Sequence, residues 1–219
     1  MQVGDDWLLT AARAAIHIPS ATAVISDLHF GYGEARQRTG EAVPASVLTS
    51  AMAPLGSVFR RHGVRQLVIA GDLFEAGASK NVIDDLLAWL QSQSVELGAV
   101  IPGNHDRGLY RHGHLLPLFP DGYQLGEWRV VHGDGTLPRG PLVHGHEHPW
   151  FRWSSRVSAP CFLFRPERLI VPAFSSDAAG VNVLRRQSWR GFRCFVIAGE
   201  DVLDFGRIVD LGRYRRCRR

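Results

Sequence analysis

One unit recurs along the first half of this chain and limits the architectures open to it: a short β-branched run, an abrupt polar cluster, then a helical pattern. Thr22-Ala23-Val24-Ile25-Ser26 leads into Asp27-Leu28-His29, and Gln66-Leu67-Val68-Ile69-Ala70 leads into Gly71-Asp72. Gly98-Ala99-Val100-Ile101 leads into Pro102-Gly103-Asn104-His105-Asp106. Runs this short and uniformly apolar, bounded by glycine or proline, fit strands buried on both faces. Joined by helices through short links, they imply right-handed crossovers between parallel strands. The helix before Gly98 is marked by a stripe of Val82, Ile83, Leu86, Leu87 and Leu90, with Asn81 placed to cap it. The helix before Gln66 uses Val47, Leu48, Ala51, Leu55, Val58 and Phe59, and Arg60, Arg61 and His62 suit its C-terminus. It also contains Pro54, which has no amide hydrogen and is expected to kink or split it near residues 50–53.

Beyond residue 120 the pattern changes to strands with little helix between them: Tyr123–Val131, Pro141–Val143, Cys161–Phe164, Leu169–Val171, Cys194–Ile197 and Val202–Val209. Polar clusters occur in both halves, so the expected architecture is α/β, a two-sheet β-sandwich flanked by helices, forming a single domain over residues 1–219. With 45% apolar and 21% charged residues the chain can bury a core, which excludes a disordered segment. No apolar run is long enough to span a membrane, and Met1-Gln2-Val3-Gly4-Asp5-Asp6 is acidic where a signal peptide needs a basic start. Cys161, Cys194 and Cys217 are too few and too far apart in sequence for a disulfide framework, so a reduced, cytoplasmic setting is expected. Of 25 basic residues only Lys80 is lysine, an arginine bias that suits phosphate recognition as well as GC-rich coding. Five arginines crowd residues 213–219, where a solvated tail is the plainer reading than a nucleic-acid arm.

The chemistry sits just past the strand ends, where open α/β sheets place their sites. Two further clusters follow the rule: Val130-Val131 into His132-Gly133-Asp134, and Leu142-Val143 into His144-Gly145-His146-Glu147-His148. Six of the ten histidines fall in these clusters. Histidine, aspartate and asparagine without cysteine form an N/O ligand pool suited to Mn, Fe or Zn rather than to a structural zinc. In an extended Asp27-Leu28-His29 or His146-Glu147-His148 the outer side chains share one side.

The ordered series Asp27-x-His29, Gly71-Asp72, Gly103-Asn104-His105-Asp106, His132-Gly133 and Gly145-His146-x-His148 resembles the motif set of the calcineurin-like metallophosphoesterases. The resemblance implies a dinuclear centre of two divalent metal ions, most readily Mn. One metal would take Asp27, His29 and His148; the other would take Asn104, His132 and His146, with Asp72 bridging. It further implies that a metal-held hydroxide attacks phosphorus while His105 protonates the leaving group and Asp106 orients its imidazole.

A finer likeness, in Ser26–Arg36, Gly40-Glu41-Ala42-Val43-Pro44 and Leu169–Phe174, is to the ligase-associated metallophosphoesterases. It implies a Mn-dependent phosphodiesterase and phosphomonoesterase acting on DNA in repair, as nuclease or end-processing enzyme. Its functional partners would be an ATP-dependent DNA ligase and a Lhr-type helicase. A phosphatase or phosphodiesterase for small molecules such as nucleotides is the alternative, and a metal-free binding scaffold is a more distant one. Singly, each polar residue could be a strand-end cap. His144 is read as support for a ligand or as packing, Asp134 as a turn residue, and His17, His62, His112 and His114 as surface or helix-end residues. Trp150, Phe151 and Trp153 either close a core or stack bases, and Tyr32, Arg36 and Arg38 would lie in a loop able to grip phosphate.

Overall fold

The computed structural model describes residues 1–42 and 48–211, and its two sheets pack face to face. The first runs in chain order: β1 (Gln2–Val3), β2 (Trp7–Leu9), β3 (Ala15–His17), β4 (Thr22–Ile25), β5 (Gln66–Ala70) and β6 (Glu96–Ile101). β1 to β4 pair antiparallel, and β4, β5 and β6 pair parallel, with Ile25 beside Ile69. Helices α1 (Tyr32–Arg38) and α2 (Leu48–His62) lie between β4 and β5, and α3 (Lys80–Ser92) between β5 and β6.

The second sheet is mixed. It holds β7 (Tyr123–Leu125), β8 (Trp128–Val131), β9 (Leu142–His144), β10 (Pro149–Arg152), β11 (Ser158–Arg165), β12 (Arg168–Ile170), β13 (Val181–Asn182), β14 (Arg193–Ala198) and β15 (Asp201–Arg207). β8, β9 and β12 are parallel neighbours, so His132 and His144 leave the sheet at the same edge.

Alternation along each strand sorts side chains between layers. In β5, Leu67 and Ile69 face the helices, where they meet Met52, Leu55 and Phe59 of α2 and Ile83, Leu86 and Leu90 of α3. Val68 and Ala70 face the other sheet, in a core that includes Val143, Phe162, Leu169 and Phe195. The opposite face of the second sheet buries Cys161, Leu163, Cys194 and Val196 under Phe151, Trp189 and Phe192. Two short 3₁₀ turns, Val183–Arg185 and Gln187–Trp189, contribute to that outer cover. Cys161 and Cys194 are free and fully buried, and no described helix is long and apolar enough to cross a membrane.

Several sequence expectations need correction. α2 runs unbroken through Pro54. Pro54 and Ser50, whose carbonyl it leaves without an amide partner, are both exposed, so water can satisfy that carbonyl while the buried face holds the helix. Ser79, not Asn81, is the N-cap of α3, and its side chain makes no capping hydrogen bond. The run 123–131 is a hairpin rather than one strand, and Tyr32, Arg36 and Arg38 belong to α1 rather than to a loop. β1 to β3 and β10 escaped notice because they are short and not bounded by a simple apolar alternation. His17 is not a surface residue: it is 3% exposed against Trp7, with Nδ1 2.8 Å from Ser20 Oγ. Val43, Pro44, Val47, Cys217 and the terminal arginines lie outside the described residues.

Because Pro54 costs α2 a backbone hydrogen bond at a solvated position, Pro54→Ala is expected to raise stability by about 1–2 kcal/mol, after the loss of proline's restriction on the unfolded chain. A shift of the urea midpoint to higher concentration at constant slope checks this.

Candidate metal centre

The loops that follow β4, β5, β6, β8 and β9 converge at one end of the sandwich. Their backbones are not extended, as alternation had suggested. Asp27, His29, Asp72, His146 and His148 all have positive φ, of 55°, 50°, 44°, 61° and 42°. For residues carrying a Cβ this left-handed geometry costs about 1–2 kcal/mol each and persists only where surroundings enforce it. Here the enforcement is visible. Past the ends of β4 and β5 the two chains stay tied: Asp27 N–H to Gly71 O (3.0 Å), His29 N–H to Asp72 O (2.9 Å), Phe30 N–H to Leu73 O (2.9 Å) and Glu75 N–H to Phe30 O (3.0 Å).

Each buried carboxylate divides its oxygens between loop and site. Asp27 Oδ2 accepts from His146 N–H at 2.9 Å, and Asp72 Oδ1 accepts from His105 N–H at 2.8 Å. The remaining oxygens point inward: Asp27 Oδ1 lies 3.5 Å from His148 Nε2, and Asp72 Oδ2 lies 3.5 Å from His132 Nε2. The chain passes so close that a Cβ at Gly103 would collide with Asp72 Oδ1, and one at Gly145 with Asp27 Oδ2.

The histidines are oriented in the same way. Carbonyls can only accept, so His132 Nδ1 donates to Ala70 O and His148 Nδ1 to Ala179 O, both at 3.1 Å. His29 Nδ1 lies 2.7 Å from Glu75 Oε2. Each ring therefore turns Nε2 inward.

Among the described residues two groups of side chains can each hold one cation, Asp27, His29 and His148, and Asp72, His132 and His146, the ligand atoms of each lying within 4.8 Å of one another. A third such group, His29, Glu75 and His105, shares His29 with the first and gathers Nδ1 atoms around the Glu75 carboxylate. Asp27 Oδ1, His29 Nε2 and His148 Nε2 are buried atoms with no hydrogen-bond partner. Three unsatisfied lone-pair atoms in one spot are costly in a folded core, and a divalent cation would satisfy all three. In the second group His132 Nε2 faces two acceptors, Asn104 Oδ1 at 3.3 Å and Asp72 Oδ2 at 3.5 Å, so a proton or a cation must lie between them. The donor set fits a borderline-to-hard divalent ion.

The charges follow. Burial opposes the imidazolium of His132, but its hydrogen bond to Asp72 and the charges of Asp27 and Asp72 raise its pKa to about 9. Burial likewise opposes charge on Asp72, yet His132 and the His105 amide hold it below the usual carboxylate range. His148 is raised by Asp27 against its own desolvation. His144 goes the other way: burial lowers it to about 4 despite its hydrogen bond to Gly145 O.

Of the nine predicted site residues, Asp27, His29, Asp72, His132, His146 and His148 meet in the two groups, and Asn104 joins through His132. Asp106 does not orient His105. Its oxygens accept from Phe74 N–H and Gly103 N–H, both at 2.9 Å, and brace the loops beneath the site, while burial raises its pKa. The 3.2 Å partner of His105 Nδ1 is instead the carbonyl of Glu75, three residues past Asp72. Glu75 was missed because a glutamate outside the repeated polar clusters gives no spacing signal. Phe151 is 2% exposed in the outer core with Trp153 packed on it, and Trp150 Nε1 donates to Ser158 Oγ. Phe151 and Trp153 thus close a core, while Trp150 stands half-buried outside it. Asp134 is exposed, as a turn residue should be, and Arg36 is engaged with Tyr32 and Glu41.

Residues 21–184 match the model of the calcineurin-like phosphoesterases, and the chain belongs to that family. Members are metal-dependent phosphoric ester hydrolases, and the side-chain groups described above are candidate metal sites for such an enzyme. In three dimensions the chain is similar to the crystal structure of the Pseudomonas putida nuclease MPE, with a TM-score of 0.70 and 20% identity over 91% of this chain and 94% of that one. Comparison with curated proteins gives no match.

A buried neutral His144 makes the chain acid-sensitive. With a folded pKa near 4, below the unfolded value, the unfolded chain takes up the proton first; stability falls as pH drops from roughly 6.5 to about 4 and is unaffected above that window. Chelator-treated His144→Leu protein is expected to show a flatter loss across that window than the wild type in urea titrations at stepped pH.

Proposed function

We propose that this chain is a Mn-dependent phosphodiesterase and phosphomonoesterase acting on DNA, with both side-chain groups occupied together as a dinuclear centre. The observation that carries the reading is the trio of buried, unpartnered atoms Asp27 Oδ1, His29 Nε2 and His148 Nε2, set beside a second trio from Asp72, His132 and His146. Asn104 would complete the second group, and Asp72 would be the carboxylate shared between the two groups, as the resemblance implies. When bound, a pair of divalent ions supplies Lewis-acid stabilisation of the phosphoryl oxygens and an activated water.

The chain's own residues do the rest. Asp27 and Asp72 fix the loops that carry His146 and His105, so the groups are positioned before substrate arrives. His105 is 39% exposed at the rim, and with Nδ1 committed to the Glu75 carbonyl it presents Nε2 outward. That nitrogen, when protonated, can give its proton to the departing ester oxygen. Support for DNA as substrate comes from the nuclease neighbour and from an arginine-dominated basic complement. A role in repair beside a DNA ligase and a helicase rests only on the likeness of Ser26–Arg36, Gly40–Pro44 and Leu169–Phe174.

Two outcomes are expected. With Mn²⁺ added, the protein should cut end-labelled single- or double-stranded DNA, lose activity in EDTA, and fall below about 1% on Asp72→Asn; nucleotides should compete poorly. Hydrolysis of nucleotides with DNA left intact would instead make it a small-molecule phosphatase. His105→Ala should retain Mn²⁺ binding in calorimetry yet turn over alkyl phosphodiesters about 10²-fold more slowly, with a smaller loss on aryl esters whose leaving group needs no proton.

A further inference from the structure

Glu75 stands at the edge of the centre with two histidines leaning on it. Its Oε2 lies 2.7 Å from His29 Nδ1 and 3.8 Å from His105 Nδ1, while its main-chain oxygen lies 3.2 Å from His105 Nδ1. The rings of His29 and His105 meet edge to face, with centroids 5.1 Å apart. His132 and His148 have Nδ1 held by backbone carbonyls, which no side-chain substitution removes; His29 depends for the same service on a carboxylate.

We propose that Glu75 is the positioning residue of this centre: its carboxylate fixes His29 in the Nδ1–H tautomer with Nε2 aimed at the cation, and its carbonyl does the same for the outward-facing His105. The inference rests on reading Asp27, His29 and His148 as a cation site. Its geometry rests on backbone. Phe30 and Phe74 form a parallel bridge and Glu75 N–H donates to Phe30 O, so the register between the two loops delivers Glu75 opposite the histidine two residues past Asp27. His29 is 6% exposed and the Glu75 side chain 24%, so the pair is shielded on the histidine side and the charge-assisted hydrogen bond is only partly screened. A carboxylate on the far nitrogen of a ligating histidine selects the tautomer, holds the ring angle and increases the basicity of the inward nitrogen. The unpartnered state of His29 Nε2 is what that selection leaves behind.

The test uses the full-length chain in two arms. In metal-free protein, long-range proton–nitrogen NMR of the histidine rings should show His29 as the Nδ1–H form. Glu75→Ala should abolish that preference, Glu75→Gln should keep it because the amide oxygen still accepts, and His105, held by the main-chain carbonyl, should not change in either variant. In calorimetry with Mn²⁺, Glu75→Ala should bind about 10–100-fold more weakly than the wild type and Glu75→Gln should recover most of the loss. An unchanged His29 tautomer in Glu75→Ala, or undiminished Mn²⁺ affinity, overturns the proposal. Absence of Mn²⁺ binding by the wild type overturns the cation reading instead, and the tautomer arm still decides Glu75. Circular dichroism and urea midpoints identify a variant that fails to fold, in which case the Gln variant carries the test.

Discussion

Two buried aspartates tie the loops at one end of this molecule together. Asp27 is fully buried and Asp72 is 2% exposed, at the tips of neighbouring parallel strands, and each spends one oxygen on the amide of a distant loop. Asp27 reaches across from the first sheet to the loop after β9 in the second. Asp72 reaches the loop after β6. With one oxygen committed to each loop, the other is left inside, desolvated and facing imidazole. The same bonds that bring the loops together thus create an anionic recess that a cation completes. Because a buried carboxylate without compensation is costly, the recess and the fold are coupled.

The two sheets supply the frame for that coupling. A core of Val68, Val143, Phe162, Leu169 and Phe195 locks one sheet on the other, so the loops at one end cannot drift independently. At that end the sheets also join directly: Ser26 bridges Ala173, Phe174 N–H donates to Ser26 O at 2.7 Å, and Ser175 N–H to Asp27 O at 3.1 Å. A rigid frame makes left-handed backbone tolerable at Asp27, His29, Asp72, His146 and His148, and left-handed backbone packs several candidate ligands into short loops.

The histidines follow one rule. The outer nitrogen is tied to a fixed acceptor, backbone for His132 and His148 and carboxylate for His29, and the inner nitrogen is freed for the centre. His144 shares the pattern, with Nδ1 3.1 Å from Gly145 O and Nε2 unpartnered, but it belongs to neither ligand group. Burial keeps the ring neutral well below ordinary pH, which fits a packed support beneath Gly133. Asp106 plays a comparable part for the loop carrying Asn104 and His105, which is why its proximity to His105 in sequence does not become contact.

Sequence alone determined the alternation of buried strands with polar ends, the two-layer class that alternation forces, and the identity of the polar residues that gather. Those are local properties: hydrophobic period, punctuation by glycine, and the ligand chemistry of each side chain. It could not determine backbone handedness in the loops, because Asp27-Leu28-His29 reads as extended until the neighbouring loop pins it at positive φ. Nor could it find Glu75 or demote Asp106, because both roles depend on register between chains 30 or more residues apart. The continuity of α2 through Pro54 was likewise a tertiary decision, since solvent beside Ser50 and the core beneath Met52 and Leu55 outweigh the missing amide. Which residues are candidates for the centre is written in their types and spacing; which atom of each faces inward is settled only when distant loops compete for the same hydrogen bonds.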